Sequence, residues 1–562
     1  MTRRREKRRS IAACYRPTAG AAAALLLCGP AMAMSIDTGN PDIELRWDNT
    51  IKYSSAFRLE DQSSALIDDN PARNRNNINL DDGNRNFDKG LISNRLDFFS
   101  EIDVSYKRRL GARVSGAAWY DTVYNSSNDH DSPGRANQTS KSFDEFTSDT
   151  RDLHGRKAEL LDAFVYANGK LADLSTTVRL GKHTLLYGET LFFGANGIAN
   201  AQSPVDFVKL LSVPNSQFKE IILPVNQISG QIQLKDNLAL GAYYQLEFRE
   251  SRVPAAGSYF SSVDLFDEGG ENFLFAPGFG APRISDDKAK DSGQFGVQLR
   301  WRPEALDTEF GVYAVRYHDK MFQAYLRPVG LPPPLGAGAP FPLNYQLVYP
   351  EDIKSYGVSF STSVGDLNVA GEASVRRDTP LVSGPEVDVS IDGSGGIGSR
   401  ALYAVGNSAH ANLSAIYLLK PGALWDGGSF LGEIAWNRRT SITKNPEALD
   451  PNSSRDAYGL RFVFEPQWFQ VLPQLDISMP IGLGYNPHGN SSVVQQFNGG
   501  TKEGGDLSIG LKGMYQQQWR IGLNYTHFFG SEGSALGADA NLTFKQSFAD
   551  RDFVSLSVQT TF

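Results

Sequence analysis

The chain ends on Val554-Ser555-Leu556-Ser557-Val558-Gln559-Thr560-Thr561-Phe562. As an extended strand, this stretch puts Val554, Leu556, Val558, Thr560 and Phe562 on one face and Ser555, Ser557, Gln559 and Thr561 on the other. An apolar face opposed to a small polar one, closed by a terminal aromatic, suits a strand with lipid on one side and a wet lumen on the other. On that reading Val554, Leu556, Val558 and Phe562 form the membrane-assembly signal, with the barrel-assembly machinery as its partner. An edge strand of a soluble sandwich reads the same way over so short a stretch, so the rest of the chain must decide.

Working back from the terminus, the same alternation recurs. Ile43, Leu45, Trp47, Ile51, Tyr53 and Phe57 oppose Glu44, Arg46, Asp48, Thr50, Lys52 and Arg58, while Leu96, Phe98, Ile102 and Val104 oppose Asp97, Glu101 and Asp103. The full set of such segments predicts an all-β, up-and-down antiparallel transmembrane barrel of about 18 strands, within a range of about 16 to 20. The connections are stronger evidence than any one strand. Lys107-Arg108-Arg109, Lys235-Asp236-Asn237, Gly365-Asp366 and Gln516-Gln517-Gln518 are tight turns, and the connections between them run from about 16 to about 40 residues. Short periplasmic turns alternating with long extracellular loops belong to an outer-membrane barrel, and a sandwich has no reason to obey that asymmetry. Residues 538–546 also alternate, but a crossing there would leave Phe562 outside the cell, so they belong to the last loop. Trp47, Trp301, Trp425, Trp468 and Trp519 fall at the periplasmic ends of the strands or in the turns, where an interfacial girdle would place them; ordinary core aromatics are the weaker alternative, given the agreement in position.

The start of the chain carries an export address. Arg3, Arg4, Arg5, Lys7, Arg8 and Arg9 precede an Ala/Leu run, and Ala31-Met32-Ala33 is a small-residue cleavage site, so residues 1–33 read as a signal peptide and 34–562 as the barrel. Both cysteines, Cys14 and Cys28, lie in the removed piece, so no disulfide or thiolate metal site is expected. Removal takes the formal net charge from -8 to -14, which does not suit a nucleic-acid partner. The expected location is the cell outer membrane, with its lipid as the surrounding partner.

Signals for catalysis are weak. The histidines show no metal-ligand spacing, and there is no GxSxG elbow or phosphate-binding glycine loop, so no enzyme and no cofactor are expected, although a barrel hydrolase could assemble a site from distant strands. Residues 68–88 hold 12 Asp or Asn, including Asp81, Asp82 and Asp88 as weak calcium candidates; Ile78 and Leu80 break the EF-hand spacing, and a solvated, turn-rich loop is the plainer reading.

Residues 185–223 say more. Ser203-Pro204-Val205-Asp206 reads as a helix start with Ser203 as N-cap, followed by an apolar stripe of Val205, Phe207, Val208, Leu210 and Leu211. Such a helix needs a surface to pack on, and the barrel interior is the nearest. The segment is therefore expected either to fold inward as a constriction or to lie across the barrel mouth. In the inward case Glu189, Asp206, Lys209, Lys219 and Glu220 approach the passage, together with the wall residues Arg179, Glu101, Asp103 and Arg113. Inward charges of both signs, including Arg300, Glu372, Glu433 and Arg461, can set ion preference or pair and brace the wall. Residues 259–279 and 326–347 are unusually apolar for outer loops; a hydrophobic solute, another protein or the neighbouring loops could cover them.

Leu80 to Ser93 (LDDGNRNFDKGLIS), Arg179 to Thr190 (RLGKHTLLYGET), Ser203 to Phe207 (SPVDF), Lys219 to Val225 (KEIILPV), Tyr243 to Phe248 (YYQLEF) and Asp550 to Val558 (DRDFVSLSV) resemble, in order, the domain-of-unknown-function 1302 family of proteobacterial outer-membrane proteins. Where that family often has Arg-Gln and a Trp-Gly-Glu step, this chain has Lys182-His183 and Tyr187-Gly188-Glu189. The resemblance implies an exported barrel that accompanies a LolB-like periplasmic protein and an RND-type transporter. The function expected is a porin-like channel for small, hydrophobic organic or lipid-like compounds. The alternative is a non-conducting subunit of an envelope lipid or pigment export assembly.

Overall fold

The computed structural model describes residues 34–562 except 69, 217, 330–342 and 389–394; the expected signal peptide over 1–33 and Pro332-Pro333-Pro334 lie outside the described residues. The C-terminal strand, Phe553–Thr561, is paired on both edges. One edge meets its predecessor, Trp519–Phe529, and the other meets the first strand of the wall, Ile43–Arg58, in register from Thr50↔Thr561 to Arg58↔Phe553. Phe562 continues this seam: its N–H donates to Asn49 O at 2.8 Å, and its carbonyl accepts from Asn49 N–H at 2.7 Å. The pairing of first and last strands closes the sheet and leaves no edge to be satisfied in lipid.

Between them run Gly90–Tyr106, Leu110–Asp121, Arg156–Leu171, Leu174–His183, Val225–Lys235, Leu238–Gln245, Phe295–Trp301, Thr308–Tyr317, Ile353–Val364, Leu367–Pro380, Val405–Leu419, Gly427–Lys444, Asp456–Leu472 and Gly505–Tyr515, each antiparallel to its neighbours. A further strand is split into Leu475–Ser478 and Ile481–His488, because Pro480 has no N–H for the ladder; its carbonyl still accepts from Gly510 N–H at 2.9 Å. The result is the closed 18-stranded up-and-down barrel that the alternation required. A three-residue strand, Met34–Ile36, pairs with Leu45–Trp47 next to the seam.

The two faces have opposite chemistry. Leu96, Phe98 and Ile102 are each more than 40% exposed on the outside, whereas Lys52, Ser54, Arg58 and Asp97 on the inside are buried. A soluble protein would have this reversed, and lipid is the solvent that accounts for it. The connections at one end are tight: Lys107 and Arg108 (φ 52° and 54°) and Gln516 and Gln517 (φ 54° and 56°) take the paired left-handed backbone that matches strand twist. Trp47, Trp301, Trp425, Trp468 and Trp519 lie at this end, and the indole N–H groups of Trp425 and Trp468 donate to Lys420 O and Leu424 O.

The connections at the other end range from residues 445–455 to residues 246–294, a wider spread than the sequence suggested. The longest begins early, after Leu238–Gln245, because Glu247 turns aside to accept the backbone N–H of Asn226 at 2.9 Å and its side-chain amide at 2.6 Å. Residues 538–546 stay in the last loop, bridged at Leu536↔Leu542. The apolar residues of 259–279 find their partners among the neighbouring loops. Tyr259 and Phe260 pack with Phe87, Tyr124 and Phe146, and Leu265 packs with Leu80 and Tyr345; Phe275 and Phe279 stay exposed.

Candidate functional site: the lumen and the connection that crosses it

The connection between His183 and Val225 enters the barrel and touches walls on opposite sides. Its first half is held by main-chain hydrogen bonds to carboxylates on two strands of one side of the wall, which flank Val405–Leu419. Glu372, on Leu367–Pro380, accepts the N–H of Glu189 at 2.6 Å through Oε2 and that of Ile198 at 2.8 Å through Oε1. Glu433, on Gly427–Lys444, accepts the N–H groups of Leu191 and Phe193 at 3.1 Å each, and also that of Phe192. Its other oxygen takes Thr190 Oγ1 and Asn412 Nδ2, both at 2.8 Å. Both glutamates are buried, and these bonds give their oxygens the partners that water would otherwise supply. Arg376 completes the latch by donating to the carbonyls of Ala195, Asn196 and Gly197, while Asn196 Nδ2 donates to Asn412 Oδ1 at 2.7 Å.

Local sequence makes this approach possible. Gly188 sits at φ +97°, a conformation that favours glycine, and a Cβ at Gly188 or Gly197 would run into the Glu372 carboxylate.

The second half is held against the wall by side chains, and its main chain pairs with the neighbouring loop, where Phe207 N–H donates to Arg252 O at 2.8 Å and Val205 O accepts Arg252 N–H at 2.9 Å. Asp206 Oδ2 pairs with Arg252 Nη1 at 2.6 Å, Arg252 Nη2 pairs with Glu159 Oε2 at 2.6 Å, and Lys209 Nζ lies 3.5 Å from Glu159 Oε1. Lys209 Nζ also sits 4.9 Å over the buried Trp119 ring. Beyond it Asn215 Nδ2 donates to Ser557 Oγ at 2.7 Å, and Lys219 Nζ lies 3.8 Å from Glu101 Oε2.

The helix expected here spans Phe207–Ser212, and its N-cap is Asp206, not Ser203: Asp206 Oδ1 accepts Lys209 N–H at 2.9 Å. Ser203 instead donates to Leu185 O, and Val205 bridges to Ile222, so the chain is still extended where the sequence signature started the helix. The apolar stripe splits: Val208 packs with Leu153 and Ala255, while Leu210 and Leu211 remain 51% and 37% exposed.

At the short-turn end the lumen opens into a cavity of about 310 Å³ lined by Glu44, Arg46, Asp48, Glu101, Asp103, Ser105, Arg108, Arg113, Tyr166 and Asn168. Its charges pair, with Arg113 Nε to Asp103 Oδ2 at 2.8 Å, Arg108 to Glu44 at 2.7 Å and Arg46 to Asp48 at 2.8 Å. The candidate residues therefore separate into groups. Glu101, Asp103 and Arg113 share this cavity, and Lys219 reaches it through Glu101. Arg179 is exposed, 5.9 Å over the Phe164 ring. Asp206, Lys209 and Glu220 are buried, with Glu220 beside Lys52, so they do not join the cavity. Glu189 is on the far side, beside Glu372. Of the acidic-loop candidates, Asp81 and Asp82 come together with Asp264 of another loop, whereas Asp88 is exposed and receives Gln62 Nε2 instead.

The latch was only half visible beforehand. Glu372 and Glu433 are legible as inward charges, but the N–H groups they hold carry no mark in residue type. Glycines at 188 and 197 were the available signal.

A closed antiparallel wall with an apolar outer belt and a polar interior, crossed by one of its own connections, is a membrane-spanning β-barrel of the outer-membrane type. Within that class, the chain belongs to DUF1302, described as a protein of unknown function, which matches residues 16–562. No curated protein matches it. Among solved structures it is similar to Acinetobacter baumannii OccAB2 (9% identity, TM-score 0.43, 92% of this chain and 98% of that one) and to Pseudomonas aeruginosa OpdK with vanillate (10%, 0.39, 92% and 98%). A BenF-like porin from Pseudomonas fluorescens Pf-5 is similar at 9% identity and TM-score 0.40, over 92% of this chain and 98% of that one. Likeness at these levels lends no weight to a function.

Proposed function

We propose that the protein is a porin-like channel of the outer membrane whose passage is narrowed by the connection between His183 and Val225. The observation that carries this reading is the latch: main-chain N–H groups at 189, 191–193 and 198 are held by Glu372 and Glu433 across the lumen from the ion pairs of the same connection. Releasing it would widen the path without unfolding the wall, because the wall's hydrogen bonds run strand to strand. The cargo we favour is a small, hydrophobic organic compound bearing a charge. Leu210 and Leu211 offer it apolar contact, and Glu101, Asp103 and Arg113 read its charge. The described apolar residues of the outer loops, Phe275 and Phe279 apart, pack on one another and give this cargo no further support.

The test is single-channel conductance of the refolded mature protein in planar bilayers. Small, stable steps that enlarge in Glu372→Ala/Glu433→Ala support the channel. Silence from both folded proteins overturns it. The buried polar residues of the lumen favour one other reading, a filled, non-conducting subunit of an envelope export assembly. That reading expects co-purification with a LolB-like periplasmic protein or an RND-type transporter.

A further inference from the structure

We propose that Asp81, Asp82 and Asp264 form a calcium site that ties together the outer loops 59–89, 122–155 and 246–294. One carboxylate oxygen from each lies within 4.8 Å of the others, and all three residues are buried, Asp81 and Asp264 completely. Asp81 Oδ2 receives Arg85 Nε at 2.6 Å and Arg135 Nη2 at 2.9 Å. Asp82 Oδ1 lies 3.2 Å from His130 Nε2, and its Oδ2 accepts Asn137 N–H at 3.0 Å. Asp264 Oδ2 accepts Asp82 N–H at 3.1 Å.

That leaves Asp81 Oδ1 and Asp264 Oδ1 buried with no partner, and Asn137 Oδ1, on the loop that bonds Asp82, is in the same condition. A carboxylate oxygen sealed from water without a donor is costly, and two in one cluster of like charges are a demand for positive charge. Arginines pair directly only with Asp81; Arg551 acts on Asp264 from a distance, and among the described residues no ion pair reaches Asp264. The free donors are all hard oxygens, which selects an alkaline-earth ion over zinc or copper. Their irregular arrangement over three loops suits calcium, because magnesium demands a near-ideal octahedron. His130 is occupied by Asp82 and acts as a positioning residue.

The loops are already pressed together here. Gly83, next to Asp82, has the backbone carbonyls of Ser258 and Ser261 where a Cβ would stand. A bound ion would thus bridge main-chain segments that have no room to part.

The experiment is calorimetric titration of calcium chloride into the refolded mature barrel, with thermal unfolding in calcium against chelator. We expect one calcium per chain with a dissociation constant of about 0.1–1 mM, the range of sites exposed to the external medium, and a higher melting temperature in calcium. Asp264→Asn should keep the chelator-state melting temperature and lose calcium affinity at least about tenfold. If that variant does not refold, Asp82→Asn serves in its place. Absence of binding by the folded wild type up to about 10 mM, or wild-type affinity in the folded variant, overturns the site.

Discussion

The two halves of the inserted connection are held by different chemistry. From Glu189 to Ile198 the wall grips the main chain, through Glu372, Glu433 and Arg376. From Asp206 to Lys219 the wall and a neighbouring loop grip side chains, through Glu159, Arg252, Glu101 and Ser557. The main-chain grip depends on two acceptors, Glu372 and Glu433, and one donor, Arg376, each serving several backbone groups at once, whereas a side-chain network spreads its load over several charges. The first should therefore fail abruptly and the second by degrees.

The sharpest break in that contrast is Glu433→Ala. It orphans the N–H groups of Leu191, Phe192 and Phe193, each costing about 1–3 kcal/mol if it stays buried, so the segment should leave the wall. Hydrogen exchange at residues 189–198 should accelerate strongly while strand amides stay protected. Gly188→Ala should act in the same direction through the Glu372 carboxylate, and a variant with wild-type exchange would remove the latch from the account.

Asp206→Ala tests the other half. It deletes a helix cap and one charged hydrogen bond, about 3 kcal/mol together, but Arg252 keeps Glu159. Exchange should rise over 207–212 and leave 189–198 unchanged; loss of protection in both halves would mean that the two grips are one cooperative unit.

A smaller effect is expected in the open cavity. Arg113→Gln leaves Glu44, Asp48, Glu101 and Asp103 facing fewer cations, so the cation-to-anion permeability ratio should rise by about twofold. Reversal potentials under a salt gradient measure it.

The smallest effect concerns acid. His154, in the outer loops, accepts Ala255 N–H at 3.1 Å through Nε2, and burial, aided by Arg95 and Arg252, lowers its pKa to about 3. A histidine depressed on folding contributes stability that is present above its unfolded pKa, near 6.5, and is lost as pH falls below it. Exchange at the Ala255 amide should therefore quicken progressively from about pH 6.5 downward. Asp267, raised by burial to about 7, works in the opposite sense, so the local amide and not the global melting temperature is the informative reading.

How much of this was legible varies by residue. Inward placement of Glu372, Glu433, Glu101, Asp103 and Arg113 follows from period-two alternation, since a strand has only two faces to offer. The N-cap was misplaced by three residues because Ser203-Pro204 satisfies the local signature, while Val205 is drawn into a bridge with Ile222 that no local rule contains. Asp264 could not be joined to Asp81 and Asp82 beforehand, because the loops that carry them are remote in sequence.

The sequence by itself determined the wall: alternation and tight turns are local patterns, and lipid outside with water inside reads them strand by strand. Only the tertiary structure decided what fills the wall. The latch is made of backbone N–H groups that every residue but proline possesses, and the buried aspartates meet across loops whose paths are set by packing rather than by periodicity.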